Sequence, residues 1–182
     1  MKKVTFLLFF SILISCKSKT KSEKSTDVAD AKSTVEKTSS TEATTKTDIP
    51  VLNFEQFEKY LNIEDDNIHV VNFWATWCAP CVKELPYFEA VNQEYKDKNV
   101  KVLLVSLDFN LKKLNSFLTK NNLKSEQVLL DDPDQNAWIP KVSTKWSGAI
   151  PATVIYKKGK RAFFEKSFTK AELEKELQHF IN

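Results

Sequence analysis

Trp77-Cys78-Ala79-Pro80-Cys81 constrains this chain more than any other stretch. Its two cysteines follow the apolar run 68–74 and precede a segment with helical periodicity. A strand feeding a helix whose first turn carries Cys-x-x-Cys is the layout of dithiol–disulfide chemistry. Unpaired N–H groups and the positive end of the helix dipole favour a thiolate at Cys78. Cys81 lies on the same helical face and is close enough to join Cys78 in a disulfide. The competing readings are a purely structural bridge and half of a zinc site. Zinc takes about four ligands, and the region beyond residue 47 adds only His69 and His179, neither in a ligand motif. No metal is expected.

The segments around this motif alternate between strand and helix patterns. Leu52-Asn53-Phe54-Glu55-Gln56-Phe57 reads as a helix start, with Asn53 as cap, Gln56 as its capping-box partner and Leu52 against Phe57 as a staple. Phe54, Phe57 and Leu61 then share the inward face. The strand 68–74 leads into a helix running from the cysteines to about residue 96, with Val82, Leu85, Phe88 and Val91 on one face and Pro86 inside it. The run 100–107 is apolar almost throughout, which suits a central parallel strand covered on both faces. A helix at 111–121 and a strand at 128–130 follow. The turn-rich stretch 131–147 has room for one short helix around Ala137. Segments 153–156 and 162–164, joined through Lys157-Lys158-Gly159-Lys160, read as a β-hairpin. Thr169 caps a last helix with Glu172 as capping-box partner, Leu173, Leu177 and Phe180 facing inward. This order implies an α/β fold, a central mixed sheet with helices on both faces.

Three segments divide the chain: 1–15, 16–47 and a folded domain at 48–182. Lys2 and Lys3 precede an apolar run at 4–14 that is too short to span a bilayer. That run ends in Leu13-Ile14-Ser15-Cys16, which resembles the bacterial lipoprotein cleavage box. The resemblance implies removal of the signal peptide 1–15 and lipid on Cys16, holding the protein to a membrane without spanning it. An ordinary secreted protein with an incidental cysteine is the alternative. Residues 17–47 are Ser, Thr, Lys, Glu, Asp and Ala apart from Val28 and Val35. Such a segment buries too little surface to offset its ordering entropy, so a flexible tether is expected. Its r.m.s. reach would be roughly 30 Å.

The net charge of +3 falls to +1 once Lys2 and Lys3 leave with a signal, 25 basic residues then facing 24 acidic ones. That balance excludes the basic footprint of a nucleic-acid binder. With Arg161 as the single arginine, dense phosphate clamping is excluded as well.

Over residues 51–181 the chain resembles the thioredoxin superfamily, and within it the membrane-tethered disulfide reductases of the TlpA/ResA type. The resemblance is carried by 71–81 (Val-Asn-Phe-Trp-Ala-Thr-Trp-Cys-Ala-Pro-Cys), by Glu84 and Pro86, and by Gly148-Ala149-Ile150-Pro151-Ala152-Thr153. Cys81 and Pro151 stand 70 residues apart, a spacing that fits the extra helix–strand insertion of that group. The resemblance implies that Cys78 attacks a partner's disulfide and Cys81 resolves the mixed disulfide. It implies a cis Pro151 beside the cysteines, with Ile150 offering backbone groups to a bound peptide. Trp77, Ala79 and Pro80 would complete the substrate-contact surface. Plain thioredoxins carry an Asp at the place of Asn72; here the resemblance moves that buried base to Glu84, a proton partner for Cys81. A solvated Glu84 beside Lys83 is the plain alternative. The redox-active disulfide would be the sole prosthetic device, with no separate cofactor.

The direction of electron flow is reductive on this resemblance. Ala79-Pro80 places no charge between the cysteines, whereas strong oxidants usually carry His there. The implied client is a disulfide protein such as apocytochrome c, and the implied donor a membrane thiol system. The expected location is extracytoplasmic, facing the periplasm, as a monomer. Alternatives are a disulfide oxidase or isomerase, and a copper-site metallochaperone, though no Met or His cluster supports direct copper binding. A peroxidase is disfavoured, since the Arg-supported single peroxidatic cysteine of that class is missing from this sequence.

Overall fold

A computed structural model describes residues 49–181. The expected signal segment 1–15, Cys16 and the expected tether through residue 47 lie outside the described residues. Six strands form one sheet in the order β1-β4-β3-β2-β5-β6. They are β1 (Val51–Leu52), β2 (Ile68–Trp74), β3 (Val100–Ser106), β4 (Glu126–Leu130), β5 (Ala152–Lys157) and β6 (Lys160–Phe164). The helices are α1 (Phe54–Phe57), α2 (Ala79–Glu94), α3 (Leu111–Asn121), α4 (Gln135–Val142) and α5 (Lys170–Ile181). β2 pairs parallel with β3, β3 with β4 and β4 with β1, while β5 and β6 run antiparallel.

β2 shows why the sheet is covered on both sides. Successive side chains of a strand point to opposite faces. Ile68, Val70 and Trp74 join Leu85, Phe88, Leu114, Leu173 and Leu177 in one core. Val71 and Phe73 join Phe54, Phe57, Trp138 and Trp146 in the other. Helices α2, α3 and α5 therefore cover one face, and α1 and α4 the opposite one. Burying each large apolar side chain contributes roughly 1.5–3 kcal/mol.

Local chemistry fixes the element ends. At α1 the Gln56 N–H donates to Asn53 Oδ1 at 2.9 Å and the Asn53 N–H to Gln56 Oε1 at 3.1 Å. At α5 the Thr169 N–H donates to Glu172 Oε2 at 2.8 Å and the Glu172 N–H to Thr169 Oγ1 at 3.3 Å. Both capping boxes match the sequence pattern. The β5–β6 hairpin closes at Gly159, whose φ of +73° suits glycine.

The structure departs from the sequence expectations in several places. Helix α2 ends at Glu94 and gives way to a 3-10 turn, Lys96–Lys98, closed by left-handed Asn99. Val82 is half-buried rather than inward. β4 begins two residues earlier than its apolar run, because Glu126 and Gln127 pair with Leu103 and Leu104. β1 was not foreseen: two residues make a strand only because β4 donates to it, Leu129 N–H to Pro50 O and Asp131 N–H to Leu52 O. The α3–β4 pair extends the parallel half of the sheet.

Candidate active site

β2 ends where the Leu107 N–H donates to Trp74 O at 2.8 Å, and the chain then turns at Ala75 and Thr76. Cys78 follows as the N-cap of α2, with Pro80 in the first turn, where a missing N–H costs nothing. The Cys81 N–H donates to Cys78 Sγ at 3.3 Å, so the sulfur itself caps the helix. A disulfide joins Cys78 and Cys81, whose Cα atoms lie 5.2 Å apart. Cys78 retains 6% exposure and Cys81 none. Ala79 and Pro80 are exposed beside them.

The Ile150–Pro151 peptide bond is cis, the isomer implied by the resemblance. Cys78 Sγ lies 3.7 Å from the Ile150 carbonyl oxygen. The loop carrying it is tied down from two sides. Trp146 Nε1 donates to Ala149 O at 2.8 Å. Glu165, just after β6, accepts the Ala149 N–H at 3.1 Å, the Ser147 N–H at 3.2 Å and the Ser147 hydroxyl. These hydrogen bonds, led by that of the Ser147 side chain, hold the Glu165 carboxyl below its ordinary range.

Glu84 is 1% exposed, which removes the solvated alternative. Asn72 Nδ2 donates to Glu84 Oε1 at 3.0 Å and to Thr153 Oγ1 at 3.1 Å. The Phe168 N–H donates to Glu84 Oε2 at 2.7 Å. Burial pushes the Glu84 carboxyl up, and the hydrogen bonds from Phe168, Asn72 and Ser167 only partly oppose that. It stands one helical turn beyond Cys81, so a buried carboxyl shares the face of the buried cysteine.

Trp74 is buried against Phe117, whereas Trp77 is 57% exposed and stacks on Phe109. Arg161 is committed elsewhere, donating to the carbonyls of Leu61 and Val142. Among the described residues no group of three or more His, Cys, Asp or Glu side chains is placed to hold a metal ion.

The family model for AhpC/TSA matches residues 40–161. The chain belongs to the AhpC/TSA family. Within this family context it is similar to the thiol-disulfide oxidoreductase ResA of Oceanobacillus iheyensis, 43% identical over 54 residues, which are 30% of this chain and 28% of that protein. It is also similar to ResA of Geobacillus kaustophilus, 29% identical over 110 residues, 59% of this chain and 60% of the relative. The chain thus spans between about a quarter and three-fifths of the length of these curated relatives. A secreted thiol-disulfide isomerase from Corynebacterium glutamicum shares the fold at a TM-score of 0.56 and 22% identity, over 64% of this chain and 72% of that one. The likeness to ResA is thus one of sequence over part of each protein, and the sheet and helices form a thioredoxin-like fold.

Sequence reasoning missed Asp108, Phe109, Glu165 and Phe168. Phe168 and Glu165 reach the site only through the return of β6 and α5, which no local pattern reports. Asp108 left a faint signal, a polar residue closing an apolar strand run at its C-terminal end.

Proposed function

We propose that this chain is an extracytoplasmic thiol-disulfide oxidoreductase that reduces protein disulfides, of the cytochrome c maturation kind. One observation carries the reading: a disulfide sits at the start of α2, with the outer sulfur resting against the carbonyl that precedes cis Pro151. The site offers one reachable sulfur, one buried sulfur and one buried carboxyl.

In the reduced chain the Cys78 thiolate attacks one sulfur of the partner's disulfide. A Cys78–partner bond forms, and the second partner sulfur leaves as thiolate and takes a proton. Cys81 gives its proton to Glu84 and attacks Cys78 Sγ as thiolate; the Cys78–Cys81 bond forms, the Cys78–partner bond breaks, and the first partner sulfur leaves as thiolate and takes up the proton that Glu84 accepted. The partner gains two electrons and two protons. A thiol donor of the same class, held in the membrane, returns the chain to its dithiol form. Ile150 pairs with the partner backbone, and Trp77, Ala79 and Pro80 frame it. The disulfide is the whole redox device, without a separate cofactor.

Support for the location comes from the signal-like 1–15 segment and the lipoprotein box at Cys16, which together favour a lipid anchor on a bacterial membrane facing the periplasm. Among the described residues no helix is long and apolar enough to cross a membrane. Capture with Cys81→Ser tests the client: a covalent adduct at Cys78 with a protein bearing Cys-x-x-Cys-His is expected. The reduction potential tests the direction. A value near about −120 mV, as in strong oxidants, would overturn the reductase reading.

A further inference from the structure

Five large apolar side chains are exposed among the described residues: Val51, Ile63, Trp77, Phe109 and Leu111. Single exposed apolar residues are ordinary. Three of these, however, lie on the turn before Cys78 and on the segment just after β3. Phe109 is 85% exposed, and its ring stacks on that of Trp77 with centroids 6.0 Å apart and planes 4° from parallel. Trp77 is covalently next to the sulfur that the proposed reaction uses.

Phe109 is held there by its neighbour. Asp108 is buried, and its carboxylate accepts the Thr76 N–H at 2.9 Å, the Thr76 hydroxyl at 2.5 Å and the Ser106 hydroxyl at 2.8 Å. The Asp108 N–H returns a bond to Ser106 Oγ at 3.1 Å. The segment after β3 is thereby bolted to the turn that carries Trp77. The result is a fixed pair of aromatic faces, one ring wide on each side of the stack, continuous with the redox site.

We propose that Phe109 is a specificity-determining residue. With Trp77 it forms an apolar platform that seats an aliphatic or aromatic side chain of the disulfide-bearing partner segment, within a residue or two of the reacting cysteine. The inference rests on the thiol-disulfide exchange proposed above. An extended segment advances about 3.3 Å per residue, so a partner cysteine at Cys78 brings its neighbours over Trp77 and Phe109. The platform carries no charge, so it selects by apolar area.

The test uses the full chain, reduced beforehand with dithiothreitol and freed of it, in single-turnover reactions with three disulfides. Two are cyclic cystine peptides that differ only in Leu or Ser beside one cysteine; the third is bis(2-hydroxyethyl) disulfide, which has no side chains. The parent chain should reduce the Leu peptide roughly tenfold faster than the Ser peptide. Phe109→Ala should remove most of that preference while leaving the Ser peptide and the small disulfide within about twofold, and Phe109→Leu should restore it. A preference unchanged in Phe109→Ala, or an equal loss on all three disulfides, overturns the platform. A parent chain that reduces all three alike overturns the platform and leaves the exchange reading standing. A parent chain that reduces none overturns both. Sedimentation of the parent and of Phe109→Ala closes the remaining route: a Phe109-dependent dimer makes this face a contact between copies and overturns the proposal.

Discussion

The amide of Asn72 on β2 donates to the carboxylate of Glu84 on α2 across 3.0 Å, with Phe168 N–H on the second oxygen at 2.7 Å. Three elements thus meet on one buried carboxyl. Burial nevertheless wins, and the Glu84 carboxyl sits above its ordinary value of 4.5.

A carboxyl whose folded pKa exceeds its unfolded one binds more protons when folded. Its contribution to stability is therefore fully present below about pH 4.5 and declines as pH rises through the raised value. Glu84→Gln should flatten this slope, so the parent loses stability relative to the variant as the medium goes from acid to neutral. Thermal melts across that range check it. The same variant should slow resolution of the mixed disulfide while leaving attack by Cys78 on a small disulfide within about twofold. Equal rates of resolution in both chains would remove the proposed proton transfer.

Glu165 behaves in the opposite sense. Its carboxyl is held low by Ser147 and Ala149, so its stabilising grip on the loop before Pro151 is fully present above the ordinary value of 4.5 and is lost as pH falls through the lowered folded value. Glu165→Gln should raise KM for a peptide disulfide by roughly threefold to tenfold, with kcat unchanged. Steady-state kinetics with peptide and small disulfides separate these outcomes.

Asp108 is a positioning residue. Asp108→Asn leaves one partner oxygen and should loosen the Trp77–Phe109 stack, raising KM for the Leu peptide more than that for the Ser peptide. Trp77 fluorescence anisotropy should fall with it. Asp108→Ala leaves the Thr76 N–H without its acceptor and should cost about 1–3 kcal/mol in denaturant unfolding.

Phe57 lies in the core opposite the disulfide and packs against Phe54, Tyr60 and Phe73 at centroid distances of 6.1, 6.0 and 5.8 Å. Phe57→Ala should lower stability by about 3–5 kcal/mol. Its folded fraction should reduce a small disulfide at the parent rate, because none of these rings touches the cysteines.

What could be read from the sequence follows the range of the forces involved. β2, α1, α5 and the hairpin are legible because their periodicity and caps are local, as at Asn53–Gln56 of α1 and Thr169–Glu172 of α5. Ile68, Val70 and Trp74 on one face and Val71 and Phe73 on the other are all buried, which fits a continuous apolar run. β1 was invisible, since it exists only by pairing with β4. Glu84 could be placed on the face of Cys81 by spacing, yet its burial depends on Phe168, 84 residues away. The link between Asp108 and Thr76 spans 32 residues and joins two strand ends, which only the parallel register of β2 and β3 brings together.

The sulfur cap at the start of α2 ties two measurable quantities together. Cys78 Sγ accepts from Cys81 N–H while in the disulfide, and a thiolate accepts more strongly than a disulfide sulfur. Reduction, oxidation and unfolding of either form make a closed thermodynamic cycle. Whatever a substitution in that first turn does to the reduced form relative to the oxidised one must reappear as a change in potential, about 30 mV for each 1.4 kcal/mol. A pair of melting curves, one for each redox form, is therefore also a voltmeter for this domain.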